Sequence, residues 1–202
     1  MSSQSPHIYV MRELLETERT FVKCLTQLKQ FFFAPAINHF QQEGSGEMDP
    51  ELRELMQQTD VILKINKQFL EELEKRIGKQ ITNNSRISDI LSKYSQMFKI
   101  YVAYLDIQAN GSASYLRLSR RYENLKQESI RLQKEFGVSV DFESLVITPM
   151  QRILRYIMLV KEILKHMPQQ NIEREGLEEA LHNLESTANF INNHLKVQTK
   201  ND

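Results

Sequence analysis

Gln151 and Arg155 stand one helical turn apart in a largely apolar run from Ile147 to Met167. An amide can donate and accept at once. A guanidinium fork holds carbonyl or carboxylate oxygens in fixed geometry. That is the chemistry of non-covalent recognition. Signatures of bond-making are missing: the sequence has no Gly-rich phosphate loop, no Gly-x-Ser-x-Gly elbow and no His-Glu-x-x-His. Glu179 and His182 form one half of the carboxylate-bridged di-iron pattern, which needs two such pairs. None of His7, His39, His166 and His194 has a Glu three residues before it, so no metal site is expected and the histidines read as surface or cap residues. Cys24, the single cysteine, lies beside an apolar stripe and reads as a small packing residue. With no partner for a disulfide, it suits a reducing compartment, and a cytoplasmic location follows.

The elements that must position these residues are helices. Ile8, Met11, Leu14, Leu15, Phe21, Val22, Leu25, Leu28 and Phe32 recur at three- and four-residue steps, the helical signature. Pro35 is expected to kink or end this first helix. Residues 41–47, with Gly-Ser-Gly at their centre, read as a loop. Asp49-Pro50 starts a second helix as cap and first-turn proline, and Gly78 fits its end. Ile87 to Leu105 carries a third stripe, which Asn110-Gly111 is expected to end. A fourth runs from Tyr115 to Phe136 and closes at Gly137. Pro149 opens the main helix, Pro168 ends it, and Leu177 to Leu195 forms the last. No alternating pattern of convincing length marks a strand, and no fixed-period repeat marks a solenoid. The fold class predicted is all-α: an elongated bundle of about six long helices.

Two stripes run along the helix after Pro149. Met150, Ile153, Ile157, Val160 and Leu164 read as core. Ile147, Gln151, Leu154, Arg155 and Met158 mix apolar and hydrogen-bonding groups, as protein interfaces do, and periodicity alone leaves them between interface and further core. Arg152 and Glu162 read as a structural pair within the bundle.

A chain of 202 residues with formal net charge +0 suits one domain with a real core and gives no whole-chain case for nucleic-acid binding. No segment approaches the ~18 consecutive apolar residues that span a bilayer, and the first residues lack a signal-peptide layout. Arg117, Arg120, Arg121, Lys126, Arg131 and Lys134 make the fourth helix basic. Glu123, Glu128 and Glu135 offset them, so a solvated face is preferred over a contact for an acidic partner or a membrane. Glu71, Glu72 and Glu74 with Lys67, Lys75 and Arg76 read as pairs along one helix surface.

Ser144 to Tyr156, continued by Met158 to His166, resembles the third signature block of Dbl-homology (DH) domains, the exchange domains of Rho-family guanine nucleotide exchange factors. Glu13-Leu-Leu-Glu-Thr-Glu-Arg-Thr-Phe-Val22 resembles the first block, and Ala188-Asn-Phe-Ile-Asn192 the end of the last helix. The matches fall in the right order over nearly the whole chain. The resemblance implies a helical domain over residues 7–200, after a lead-in at 1–6, that binds a Rho-family small GTPase of Rho, Rac or Cdc type and promotes GDP release. It implies that Glu13 engages switch I of the GTPase, that Arg155 and Asn192 engage the switch II side, and that Ile147 packs on the GTPase surface. Thr17, Thr148, Gln151, Leu154 and Met158 complete the implied contact set. No cofactor belongs to the chain, since magnesium and guanine nucleotide would be the partner's. A pleckstrin-homology domain, which usually follows in this family, is not expected within these residues, so any recruitment to a membrane would come from regions outside them. Met158 and Val160 stand where the family often has Leu, and Phe21 where Tyr is common. The alternative is a DH-like scaffold that binds protein partners without exchange activity.

Overall fold

The structure, a computed structural model, describes residues 5–43 and 47–198. The centre of the loop expected at 41–47, most of the lead-in and residues 199–200 of the expected domain lie outside the described residues. Among the described residues there is no strand. The helices are α1 (Pro6–Leu28), α2 (Ala34–Glu43), α3 (Pro50–Ile77), α4 (Ser88–Met97), α5 (Tyr101–Arg121), α6 (Glu123–Glu135), α7 (Phe142–Val146), α8 (Thr148–His166) and α9 (Arg174–Gln198). The 28-residue α3 is about 42 Å long at 1.5 Å per residue. The all-α bundle read from periodicity is the fold observed.

Several starts follow the predicted chemistry. The Asp49 side chain accepts from the Glu51 amide at 3.0 Å with Pro50 in the first turn. Asp141 caps α7 through the Ser144 amide at 2.7 Å. Gly137, which follows α6, has φ +63°, a backbone region that favours glycine.

Several features differ from the sequence reading, among them α2, which runs on to Glu43 where the loop is expected from Gln41. Pro35 does not end the first helix. A π-helical turn at Lys29–Phe33 precedes it, and the helix resumes through α2. A wider turn relieves the clash between a proline ring and the carbonyl four residues back. It also buries three successive aromatics, Phe31, Phe32 and Phe33. Phe32 and Phe33 pack edge-on against Phe142 at 5.7 and 6.4 Å.

Asn110-Gly111 does not break the chain either; α5 runs straight through it. A Cβ on Gly111 would lie 2.6 Å from Leu55 Cβ and 2.8 Å from the Glu51 carbonyl oxygen. The glycine serves the close approach of α5 to α3, not a turn. The real joints of this segment are a 3₁₀ turn at Phe98–Ile100 and the extended residue Tyr122.

The acidic and basic residues of α3 mostly reach across to other helices. Lys75–Glu71 is an intrahelical pair. Glu72 binds Lys93 at 2.5 Å and accepts from the Tyr94 hydroxyl at 2.8 Å. Glu74 binds Arg19, and Arg76 binds Asp89. On the basic segment, Arg131 pairs with Glu128 and Glu135, and Arg117 with Asp49. Lys126, Lys134, Arg120 and Arg121 are exposed, which both readings of this face require.

The connection from α8 to α9 is tied down. The buried Glu173 carboxylate accepts from the Ile87 and Ser88 amides, both at 2.5 Å, and so caps α4. Arg174 donates to the Leu164 and Met167 carbonyls at the end of α8.

Candidate functional site

Helix α8 lies between α1 and α9, packed against both. It runs antiparallel to α1: Glu13 meets Arg155, and five residues later Glu18 meets Arg152. Its inner face presents Tyr156, Val160 and Ile163, all fully buried. Its outer face presents Ile147 at 41%, Met150 at 46%, Leu154 at 56% and Met158 at 60% exposure. Four exposed apolar side chains on successive turns make a continuous patch, and such a patch marks a contact surface more often than chance exposure does.

Met150 departs from the core stripe that periodicity predicts for it. It sits about 100° from the centre of the buried arc at 100° per residue, in the first turn of α8, where no neighbour closes over it. The rest of that stripe, Ile153, Ile157, Val160 and Leu164, is buried.

The patch is a ridge between two grooves. On the α1 side an open groove of about 770 Å³ is lined by Thr17, Phe21 and Cys24 and by Ile147, Gln151 and Arg155, among others. On the α9 side a smaller one of about 130 Å³ is lined by Pro149, Ile191, Asn192 and Leu195 among others. Met150 and Leu154 line both. Thr17, Ile147, Thr148, Gln151, Leu154, Arg155 and Met158 therefore share the larger groove, Glu13 joins it through its ion pair with Arg155, and Asn192 stands across the ridge in the smaller one. Asn192 and Gln151 are exposed. Thr148 is turned partly inward, its hydroxyl donating to the Leu145 carbonyl at 2.8 Å. Thr17 likewise donates to Leu14, at 3.2 Å.

A buried polar network fixes the groove from beneath. Glu18 accepts from Arg152 Nε and Nη2 at 3.1 and 2.5 Å, from the Tyr156 hydroxyl at 2.6 Å and from the Asn66 amide at 3.0 Å. The Tyr101 hydroxyl donates to Asn66 Oδ1 at 2.8 Å. The Arg152 guanidinium also lies over the rings of Tyr156 and Phe21, 4.4 and 5.3 Å from their centroids. Burial opposes the Arg152 charge, but the Tyr156 and Glu18 oxygens around it prevail and hold it above its usual range. Burial, with the Glu18 carboxylate beside it, pushes the Tyr156 hydroxyl well up, so it remains a donor. The expected Arg152–Glu162 pair is not formed. Glu162 is on the outside, bound to Lys165 and His166, while Arg152 faces inward. The sequence held a signal for this. Glu18 falls in the spacing Met11, Leu14, Leu15, Glu18, Phe21, Val22, a core position that a carboxylate occupies only with a buried partner.

Burial pushes the Cys24 thiol up, against the pull of Lys23 and Arg152, which leaves it a groove-wall residue. Among the described residues no group of three or more His, Cys, Asp or Glu could hold a metal ion; Glu179 and His182 are exposed. Two histidines contradict the surface reading: His7 is fully buried and His39 is 6% exposed. His7 neighbours His166 at the end of α8, and the His39 ring lies tilted against that of Tyr122, centroids 4.2 Å apart.

The family model described as RhoGEF domain matches residues 10–192. The chain belongs to the RhoGEF domain family. Rac guanine nucleotide exchange factor JJ of Dictyostelium discoideum is 27% identical to it over 182 residues, 90% of this chain and 15% of that protein. Rho guanine nucleotide exchange factor 17 of Homo sapiens is 30% identical over 190 residues, 91% of this chain and 9% of that protein. FYVE, RhoGEF and PH domain-containing protein 2 of Homo sapiens is 30% identical over 195 residues, 94% of this chain and 29% of that protein. The chain thus spans less than a third of the length of these relatives. A solved structure of the Vav1 exchange factor superposes with TM-score 0.75 at 22% identity, covering 92% of this chain and 48% of its own. The PDZ-RhoGEF DH/PH domains solved in complex with GTP-γ-S-activated RhoA give TM-score 0.74 at 19% identity, over 94% of this chain and 53% of that one. These two likenesses show the fold. The RhoGEF domain of this chain places its exposed apolar ridge, its two grooves and its half-exposed ion pair on one face. No helix among the described residues is long and apolar enough to cross a membrane.

Proposed function

We propose that the chain is the exchange domain of a Rho-family guanine nucleotide exchange factor, comprising residues 7–200, and that it promotes GDP release and GTP loading on a small GTPase of Rho, Rac or Cdc type. The observation that carries this reading is the exposed ridge Ile147–Met150–Leu154–Met158 between two grooves, bordered by Glu13 and Arg155 on one side and by Asn192 on the other, in a chain of the RhoGEF family. The larger groove is open along the ridge, and the exposed apolar side chains between the two grooves suit a protein surface.

The mechanism makes and breaks no covalent bond. The apolar ridge takes the GTPase switch surface. Glu13 accepts hydrogens from switch I, while Arg155 and Asn192 hold switch II, and Thr17, Thr148 and Gln151 complete the polar rim. A GTPase holds its nucleotide through phosphate contacts and magnesium, and a factor that binds the nucleotide-free form better loosens both. Coupling is reciprocal, so incoming nucleotide displaces the factor by the same free energy. Magnesium and nucleotide belong to the partner, and no cofactor belongs to this chain. The domain acts in the cytoplasm, with recruitment to membranes left to regions outside it.

The test is release of fluorescent GDP from a panel of Rho-family GTPases. The domain should accelerate it for at least one member, and Glu13→Ala and Asn192→Ala should each remove most of the acceleration while circular dichroism stays helical. Stable binding to a GTPase without acceleration across the panel would favour the scaffold reading instead.

A further inference from the structure

The family resemblance gives Glu13 and Arg155 separate duties, on switch I and on switch II. In the free domain they are bound to each other: Arg155 Nη2 donates to Glu13 Oε1 across the groove, between α8 and α1. The contact joins positions 142 residues apart in sequence. Both side chains are about half exposed, 48% for Glu13 and 43% for Arg155. An exposed pair of this kind adds little to stability, so the fold does not need it. Its geometry is informative for another reason. The contact engages one carboxylate oxygen and one guanidinium nitrogen, and among the described residues neither side chain has another hydrogen bond or ion pair. Glu13 Oε2 and the other guanidinium N–H groups remain available beside the groove.

We propose that Arg155 is a positioning residue for Glu13, and that the two meet the GTPase as one preorganised unit. This rests on the exchange reading above. A glutamate alone on a helix surface samples several rotamers and must lose that freedom on binding, a cost that preorganisation removes. Arg155 fixes the Glu13 rotamer beforehand and turns Oε2 toward the partner. A donor on the GTPase, a hydroxyl or a backbone amide, then meets an acceptor already in place. Arg152, one turn before Arg155 and locked to Glu18 from below at 2.5 Å, keeps the two helices in the register that lets the outer pair form.

A double-mutant cycle on exchange rate tests this, with wild type, Glu13→Ala, Arg155→Ala and the double variant. Losing a hydrogen bond to a charged group changes an equilibrium roughly ten- to a hundredfold, so each single variant should slow exchange by about that factor. The double variant should lose clearly less than the product of the two single losses, because part of what Arg155 contributes passes through Glu13 and the rest through its own contact with switch II. Arg155→Lys should recover more of the rate where Glu13 is present than where it is alanine. An Arg155 that was merely structural, or that met switch II with no bearing on Glu13, would give losses that multiply fully, and that result overturns the proposal. A second arm needs no GTPase. NMR side-chain couplings of Glu13 in the free domain should report one dominant χ1 rotamer, giving way to averaging in Arg155→Ala. Averaged couplings already present in the wild type overturn the coupling whatever the exchange assay shows. Ordered couplings in a domain that accelerates no GTPase would sink the exchange reading and leave the pair standing.

Discussion

Replacing Arg152 with alanine should cost far more than any change on the groove surface. Arg152 is 5% exposed and pairs with a Glu18 that is fully buried. Arg152→Ala removes the bonds at 3.1 and 2.5 Å and the stacking over Phe21 and Tyr156. Glu18 keeps the Tyr156 hydroxyl and the Asn66 amide but loses its cation, and a charge left unpaired in an interior costs about 3–5 kcal/mol. Set against a total stability of roughly 5–15 kcal/mol, that is a large share. For a domain of this size it corresponds to a fall in Tm of roughly 6–20 °C. Urea unfolding followed by circular dichroism at neutral pH measures it. The double variant Glu18→Leu with Arg152→Met removes both charges together and should cost less than the sum of its parts, since apolar replacement of a buried pair is often near neutral. Some cost persists because the Tyr156 hydroxyl loses its acceptor. A loss below about 1 kcal/mol for Arg152→Ala, in the range of exposed pairs, would refute the reasoning, as would strict additivity of the two single changes.

Three further outcomes follow from the same geometry. Leu154→Asp and Met150→Asp should abolish GTPase binding in a pull-down yet shift unfolding free energy by no more than about 0.5 kcal/mol, the usual range for surface changes; a large loss of stability for Met150→Asp would return that residue to the core. Gly111→Val should destabilise by about 1–3 kcal/mol through overpacking, because the new side chain drives into Leu55 and the α3 backbone; thermal melts of the variant decide it. Burial holds the His7 imidazole below its ordinary value of 6.5. The unfolded chain then takes up the proton first, so this contribution is complete above about pH 6.5 and is lost as pH falls through the lower folded value. Acid titration of stability in His7→Phe should show a shallower slope just below pH 6.5 than the wild type does; equal slopes would count against it.

How much of this was legible follows from the range of each signal. Apolar recurrence is local, so the helices and most of their buried faces could be read directly. Gly111, and Pro35 as the end of its helix, were misread because breaker rules see only the chain on either side. The proline is absorbed by a wider turn among three phenylalanines, and the glycine is demanded by a neighbouring helix. At the site, residue types and their places on helices were visible, but the register between α1 and α8 was not. That register pairs Arg152 with Glu18 in place of Glu162, and it puts Glu13 within reach of Arg155. Met150 was misplaced for a related reason: periodicity says which arc a residue lies on, but not where the arc's edge meets solvent.

The Glu173 carboxylate that caps α4 has a consequence for how the chain tolerates change. Because Oε1 grips the Ile87 and Ser88 amides, and Asn171 donates to the Asn83 carbonyl at 3.1 Å, the start of α9 is moored to a distant part of the chain. Arg174 ties the same start back to the Leu164 and Met167 carbonyls of α8, so side-chain contacts on both sides set its position. Residues added near Pro168 would bulge outward and leave Asn192 where it stands. A single residue inserted between Glu173 and Leu177 would rotate the whole of α9 about its axis and carry Asn192 away from the ridge. The connection is therefore moored at both ends, and a change in its length is met by these contacts before it reaches the ridge.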